Sequence, residues 1–390
     1  MSQQFWRKRK KPKDGVPDHK RKRVLPCQAA PTSISLWSQR LTKEYLSKNG
    51  QPRNHTISIA IPGSVIKNAQ TQELRTHLVG QIARTVALYE IDEIVVFMDT
   101  GAEQAGDPER GPSAFFSRVL QYIEAPPYMR KKLFPMHNDL KFTGLLPPLD
   151  APHHMRRDDC SHYREGVVTD KSAPEGMSFV DVGLSADVTI PHQLRAGVRV
   201  TVSLEYDTDY VSGDTHRLHP RQEATAVSPS EPRERYGLYW GYRTRLARSL
   251  GEVLSGCPFT QAVGADSAET NDGYDFLIGH TSSGSSGTLS SAGSMSSTII
   301  SPERDDSFAA SVRSARHILF VFGGVNGLEA CVEADEGIST NARDTDTLFD
   351  LYWNCSANNF GSRTLRTEEE VMISLTRLVP TIRGAHAHIS

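Results

Sequence analysis

The stretch His317 to Ala330, HILFVFGGVNGLEA, runs from a buried strand through a glycine turn into the start of a helix. Gly323 and Gly324 let backbone approach a ligand closely, and Gly327 opens a helix whose N–H groups favour negative charge. A dinucleotide reading is weak, because that fingerprint is GxGxxG after the first strand with an acid about twenty positions on, and this turn is GGxxG late in the chain. No GxxxxGK[ST] phosphate loop is present. Taken alone, the glycines could equally serve only the bend. In a parallel sheet, however, ligands bind beyond the carboxyl ends of the strands. Three expected strands end in polar or glycine-rich loops: Ile278-Gly279-His280-Thr281, Phe322-Gly323-Gly324-Val325-Asn326-Gly327, and Trp353-Asn354 onward to GSRTLRTEE. Three such loops converging would make one pocket.

The elements that must position these loops follow from hydrophobic period. ISIAI (57–61), DEIVVFMD (92–99), YDFLIG (274–279), HILFVF (317–322) and LFDLYW (348–353) read as buried strands. Between the first two, Leu74, Leu78, Ile82 and Val86 recur at helical spacing, with Thr71 placed to cap. AFFSRVLQYIEA (114–125) is a second helix, and the segment GLYWGYRTRLARSLGEVLSG looks like a strand feeding another. A terminal helix starts at Thr367, where Thr-Glu-Glu-Glu supplies a capping box. Strands alternating with helices predict an α/β domain with a parallel sheet. From about Pro152 to Pro232 the rhythm changes to five short strand-like runs without a helix, which suggests an inserted small barrel of the OB type. The expected organisation is a basic tail at 1–54, the α/β domain at 55–151 and 233–390, and the barrel at 152–232. The Ser/Gly-rich stretch 281–307 is expected to be a flexible loop.

Composition limits the classes. The 390 residues carry a formal net charge of -2 and 38% hydrophobic residues, enough for a real core. No apolar run reaches membrane-spanning length, and the N-terminus is too basic for a secretory signal, so no membrane association is expected. Cys27, Cys160, Cys257, Cys331 and Cys355 lie far apart with no CxxC pair, which predicts reduced thiols. Residues 7–23 hold ten Lys or Arg against two Asp, the pattern of a nuclear-import signal or an arm on RNA phosphates. APHHMRRDD invites a metal reading, but adjacent His153 and His154 should point apart and lack a spaced ligand set, so no metal is expected.

The blocks ISIAIPGSVIKNAQTQELRTHLVGQIART, GLLPPLDAPHHMR, GLYWGYRTRLA, DGYDFLIGHTS, FGGVNGLEA, LFDLYWN and GSRTLRTEEEVMISL strongly resemble the SPOUT class of trefoil-knot RNA methyltransferases. Within that class the resemblance is to the eukaryotic and archaeal group that includes human centromere protein 32. It covers roughly His55 to Pro380. The resemblance implies a homodimer, a knotted C-terminal part, and S-adenosyl-L-methionine held in the knot. It assigns Thr281 to the first cofactor loop, Phe322, Gly323, Gly324, Gly327, Leu328 and Glu329 to the second, and Asn354, Gly361, Ser362, Arg363 and Thr364 to the third. If the target is a ring nitrogen such as uridine N3, Arg363 and Arg366 are candidates to stabilise charge on the carbonyl oxygens, and Glu329 is a candidate base or cofactor contact. Arg363 and Arg366 could instead pair with Glu368 or Glu369. Tyr239, Trp240 and Tyr242 could stack on bases, although strand core or dimer interface is the simpler reading. The function implied is methylation of a base in ribosomal RNA, in the nucleus and specifically the nucleolus, with the cytoplasm left open. The alternative is an RNA-binding or mitotic scaffold that keeps a cofactor-binding knot.

Overall fold

The computed structural model describes residues 52–157, 159, 161–209, 217–259, 273–281, 287–291, 294–299, 302–355, 361–362 and 364–387. The basic tail therefore lies outside the described residues up to Gln51. The first strand, β1 (Thr56–Pro62), is buried along its whole length, and so is β2 (Glu93–Phe97). Helix α1 (Gln72–Leu88) joins them; the Thr71 hydroxyl caps it by accepting from the Leu74 N–H at 3.3 Å. Leu78, Ile82 and Val86 face the core as their spacing predicts, but Leu74 is 55% exposed, because the first turn overhangs the sheet. Helix α2 (Pro112–Glu124) follows, with Pro112 in its first turn.

The chain then leaves the sheet. Strands β3 (Tyr163–Val168), β4 (Ser178–Asp181), β5 (Val188–Ile190), β6 (Arg199–Asp209) and β7 (Arg217–Val227) form a closed barrel in the order β3-β4-β5-β7-β6. All pairings are antiparallel except β5 with β7. Its core is small and aliphatic: Val168, Val180, Val182, Val188, Ile190, Val202 and Leu204. Gly166 on β3 is a packing requirement, since a Cβ there would lie 2.3 Å from Val180 Cγ1.

After helix α3 (Glu231–Tyr236) the chain rejoins the sheet as β8 (Arg243–Ala247), followed by α4 (Leu250–Ser255) and β9 (Phe276–His280). Strands β10 (Gly287–Ser291) and β11 (Ser294–Ile299) come next, then α5 (Asp306–Arg313), β12 (His317–Val321) and α6 (Gly327–Glu333). The last elements are β13 (Leu351–Trp353) and α7 (Thr367–Ala387). The sheet order is β11-β10-β13-β9-β12-β1-β2-β8, and β13, β9, β12, β1, β2 and β8 run parallel. Parallel sheets are covered on both faces, which is why these strands read as nearly unbroken apolar runs. One face packs Ile57, Ile59, Ile61, Ile318 and Phe320 against α1, α2 and α7; the other packs Ala60, Val95, Leu319 and Val321 against α4 and α6.

Several expectations need amending. Within 281–307, expected to be a loop, β10 and β11 pair antiparallel and extend the sheet beyond β13. The open edge of β13 offers unpaired backbone groups, and a ladder satisfies them whatever the side chains. His153 and His154 do not point apart: their rings lie 4.5 Å from each other, and both Nε2 atoms reach Glu124 O, at 2.9 and 2.6 Å. The segment there is irregular, so the alternation of regular structure does not apply. For Tyr239, Trp240 and Tyr242 the simpler reading stands: they are core residues, no more than 7% exposed. The Tyr242 hydroxyl donates to Leu120 O at 3.0 Å, and Trp240 Nε1 donates to Glu165.

Barrel and sheet meet at a buried ion cluster. Arg199 of the barrel donates to Glu165 at 2.6 Å and to both Glu124 oxygens, at 2.5 and 3.0 Å. Burial alone would raise the Glu124 carboxyl, but Arg199 and His153 beside it hold it well below the usual carboxylate range.

Candidate active site at the carboxyl ends of the strands

Because six strands run parallel, Trp353, His280, Val321, Pro62, Phe97 and Ala247 end on one edge. The glycine turn sits there between β12 and α6. Phe322 continues the ladder by donating its N–H to Ala60 O at 2.9 Å. The turn closes through Gly327 N–H to Gly324 O at 3.0 Å, with Gly327 at φ +82°, which favours glycine. A Cβ on Gly323 would lie 2.3 Å from Leu328 N, so this turn folds onto the start of its own helix. The bend thus accounts for Gly323 and Gly327. Val325 and Asn326 at the tip are exposed, whereas Phe322 and Leu328 are fully buried core side chains that bring only backbone to the edge.

Glu329 ties three strand ends together. Its Oε1 accepts from the Thr281 hydroxyl at 3.0 Å and from the Tyr352 hydroxyl at 2.8 Å. Thr281 N–H in turn donates to Trp353 O at 3.1 Å. Burial, together with the Glu329 carboxylate, pushes the Tyr352 phenol up and keeps it protonated. Asn354, 3% exposed, follows β13 directly. So Thr281, Gly323, Gly324, Gly327, Glu329 and Asn354 come together at one edge.

The remaining sequence candidates lie elsewhere or beyond description. Gly361, Ser362 and Thr364 are exposed, with the Ser362 hydroxyl donating to Thr364 O at 2.7 Å. Arg363 lies outside the described residues. Arg366 is 77% exposed, with its guanidinium 4.0 Å from Glu368. Its backbone N–H donates to Glu369 Oε2 at 2.9 Å, so the helix cap begins one residue before Thr367.

Two groups at this edge were missed by sequence reasoning. His280 stacks on Phe322, with Nε2 3.0 Å from Cys355 Sγ and Nδ1 3.7 Å from Glu370 Oε2. Burial lowers the imidazole to about 4, while burial and the neighbouring Glu368 and Glu369 raise Glu370 to about 7. The other group, Ser64 and Asp99, closes the ends of β1 and β2: Ser64 Oγ donates to Asp99 Oδ2 at 2.5 Å. The rule about strand ends, applied to all parallel strands rather than to the last three, would have found Ser64 and Asp99, whereas His280 lay inside a loop already singled out and only its burial against Phe322 and Cys355 was unreadable.

The donor set discriminates among ligands. Glu329 and two hydroxyls, with exposed backbone at the turn, would repel a phosphate and suit a cationic ligand with hydroxyl groups. Among the described residues the buried Trp353 Nε1 has no hydrogen-bond partner, and Arg377 stacks 4.6 Å from the Trp353 ring. A methyl-donating sulfonium fits these residues. Among the described residues no cluster of three or more His, Cys, Asp or Glu is placed to hold a metal, and no helix is long and apolar enough to cross a membrane. A cleft of about 790 Å3 opens at the barrel seam, lined by Phe134, Arg199, Trp240 and Tyr242 and reaching Arg243 and His317. Arg243 and His317 begin their strands, so that cleft lies at the opposite edge of the sheet from the strand ends.

Comparison with known proteins agrees with this chemistry. Residues 56–378 match the family described as "Putative RNA methyltransferase". The human 28S rRNA (uridine-N(3))-methyltransferase is 41% identical over 349 residues, covering 87% of this chain and 82% of the relative. The Drosophila melanogaster protein of the same name is 38% identical, covering 84% and 62%. An uncharacterized protein of Haloarcula marismortui is 25% identical over 335 residues, 84% of this chain and 99% of its own length. The match spans both segments of the sheet and the barrel between them, and the chain belongs to this family of RNA methyltransferases.

Proposed function

We propose that this protein transfers a methyl group from S-adenosyl-L-methionine to N3 of a uridine in large-subunit ribosomal RNA. The observation that carries the reading is Glu329 joining the ends of β9 and β13 to the glycine turn. It puts a carboxylate and two hydroxyls where a cationic donor needs them. The cofactor supplies an electrophilic methyl carbon on a positively charged sulfur. Thr281, the backbone of 323–327, Glu329 and Asn354 hold and orient that group, and for Gly361, Ser362, Arg363 and Thr364 a part in the third loop rests on the resemblance alone. Because the reaction is a displacement, these residues act chiefly by alignment and exclusion of water.

The finer reading places the chain in the SPOUT class, with β13, the third loop and α7 as the knotted part and the chain working as a homodimer. The barrel at 152–232 is an OB-type module, which the strand order and the parallel β5–β7 pair support. It presents RNA to the α/β domain of 55–151 and 233–390, while the tail at 1–54 directs the protein to the nucleus and its nucleolus. Calorimetric titration with S-adenosylhomocysteine tests the site: binding of on the order of -8 kcal/mol is expected. Gly323→Ala, whose Cβ would strike Leu328 N at 2.3 Å, should abolish that binding. No binding by folded wild-type protein would favour the scaffold reading instead.

A further inference from the structure

The sheet order divides the space around the glycine turn. The loops after β13, β9 and β12 lie to one side and hold the donor in the reading above, on which this inference rests. The other neighbour of β12 is β1, then β2. A base that receives the methyl group must come from the side the donor loops leave free, which is the end of β1 and β2.

That side carries an acid and a hydroxyl with no other assignment. Ser64 offers Asp99 both its N–H, at 3.3 Å to Oδ1, and its hydroxyl, at 2.5 Å to Oδ2. Both residues are partly exposed, and among the described residues no ion pair reaches Asp99. The pair abuts the turn: a Cβ on Gly324 would lie 3.0 Å from Ser64 Oγ and 3.3 Å from Asp99 Oδ2. Across the turn, Glu329 Oε1 alone accepts two hydroxyl hydrogens, whereas the two donors to Asp99 both come from Ser64 and fall one on each oxygen, so neither Asp99 oxygen is as fully engaged. Below it lies Cys331, whose thiol is pushed up to about 12 by burial and then by Asp99. That thiol stays protonated and cannot take the role.

We infer that Asp99, oriented by Ser64, is the group that accepts the N3 proton of the target uridine and thereby selects uridine over cytidine. Uridine presents an N3–H donor to a carboxylate, whereas cytidine presents a lone pair and is repelled. In the reaction the N3–H bond breaks and its proton passes to Asp99. The freed N3 lone pair forms a bond to the methyl carbon as the carbon–sulfur bond breaks, its electrons remaining on sulfur, which leaves as a neutral thioether. One negative charge on Asp99 and one positive charge on the sulfonium are both discharged.

The test is single-turnover methylation of a uridine-containing ribosomal RNA across pH, alongside S-adenosylhomocysteine affinity and melting temperature. Asp99→Asn should lower the rate near neutral pH by about 100-fold or more, the range of a lost general base, with affinity unchanged. The deficit should narrow as rising pH ionises uracil itself, a signature that a merely structural role would not give. Ser64→Ala removes the hydroxyl that orients the carboxylate, so its rate near neutral pH should fall by about tenfold or more with affinity unchanged, and the deficit should narrow in the same way as pH rises. A rate for Asp99→Asn within about threefold of wild type at all pH values overturns the inference. If Asp99→Asn fails to fold, a Ser64→Ala rate equal to wild type at all pH values does the same. A wild type that puts no methyl group on uridine N3 overturns the functional reading as well, which separates the two failures.

Discussion

Replacing Arg199 by Met takes the cation out of the barrel seam while keeping the length of its stem. Glu124 and Glu165, 5% and 2% exposed, would then face each other without it. Glu165 keeps Thr201 and Trp240 as donors and Glu124 keeps His153, so neither acid is stripped bare. Removing one partner of a buried pair costs about 3–5 kcal/mol; with the Arg199 side chain 31% exposed, the low end, about 3 kcal/mol, is expected. The loss should depend on pH. The folded Glu124 carboxyl lies below its ordinary value of 4.5, so its contribution is present above that value and fades as pH falls below it. The gap between wild type and variant should thus be full at pH 6–8 and shrink below about pH 4. Denaturant unfolding followed by tryptophan fluorescence reads it, since Trp240 bonds the same cluster, and a cycle with Glu124→Gln isolates the pair. A gap under about 1 kcal/mol, or one indifferent to pH, would refute the assignment of the seam to this cluster. Binding of S-adenosylhomocysteine should not change, because the strand ends lie at the other edge of the sheet.

Other outcomes follow from the same geometry. Glu370, raised to about 7, holds in the folded state a proton that the unfolded chain has already released. Its contribution to stability is therefore full below its ordinary value of 4.5 and is lost as pH rises through 7, so Glu370→Gln should flatten the fall in melting temperature between pH 5 and 8. Gly166→Ala should overpack the barrel against Val180 and Val182 at a cost of about 1–3 kcal/mol, measured by the denaturant midpoint. The Tyr352→Phe variant, which deletes one of the two hydroxyls on Glu329, should weaken cofactor binding about tenfold in calorimetry, while an unchanged affinity would place Tyr352 outside the site.

What the sequence made legible was local. The parallel strands announce themselves because both faces are buried, so Ile57 to Ile61 and His317 to Val321 are apolar with hardly an interruption. The barrel strands are legible by their alternation and turns, and the glycine turn by its composition. Contacts between strand ends were not legible in the same way. Ser64 and Asp99 stand 35 residues apart, and Arg199 stands 75 from Glu124, distances over which no periodicity carries information. The β10–β11 hairpin escaped because Ser and Gly signal a loop, while the edge of β13 supplies a template that composition does not reveal. Leu74 shows the converse: a correct helical spacing assigns a face, yet the end of that face can extend past what it covers.

The most direct measurement is nucleoside mass spectrometry of unmodified large-subunit ribosomal RNA incubated with the purified protein and S-adenosyl-L-methionine. The account predicts 3-methyluridine at one position, absent without cofactor and absent with Gly323→Ala. A methyl group on a ribose or on another base, or none at all from protein that binds the cofactor, would contradict it.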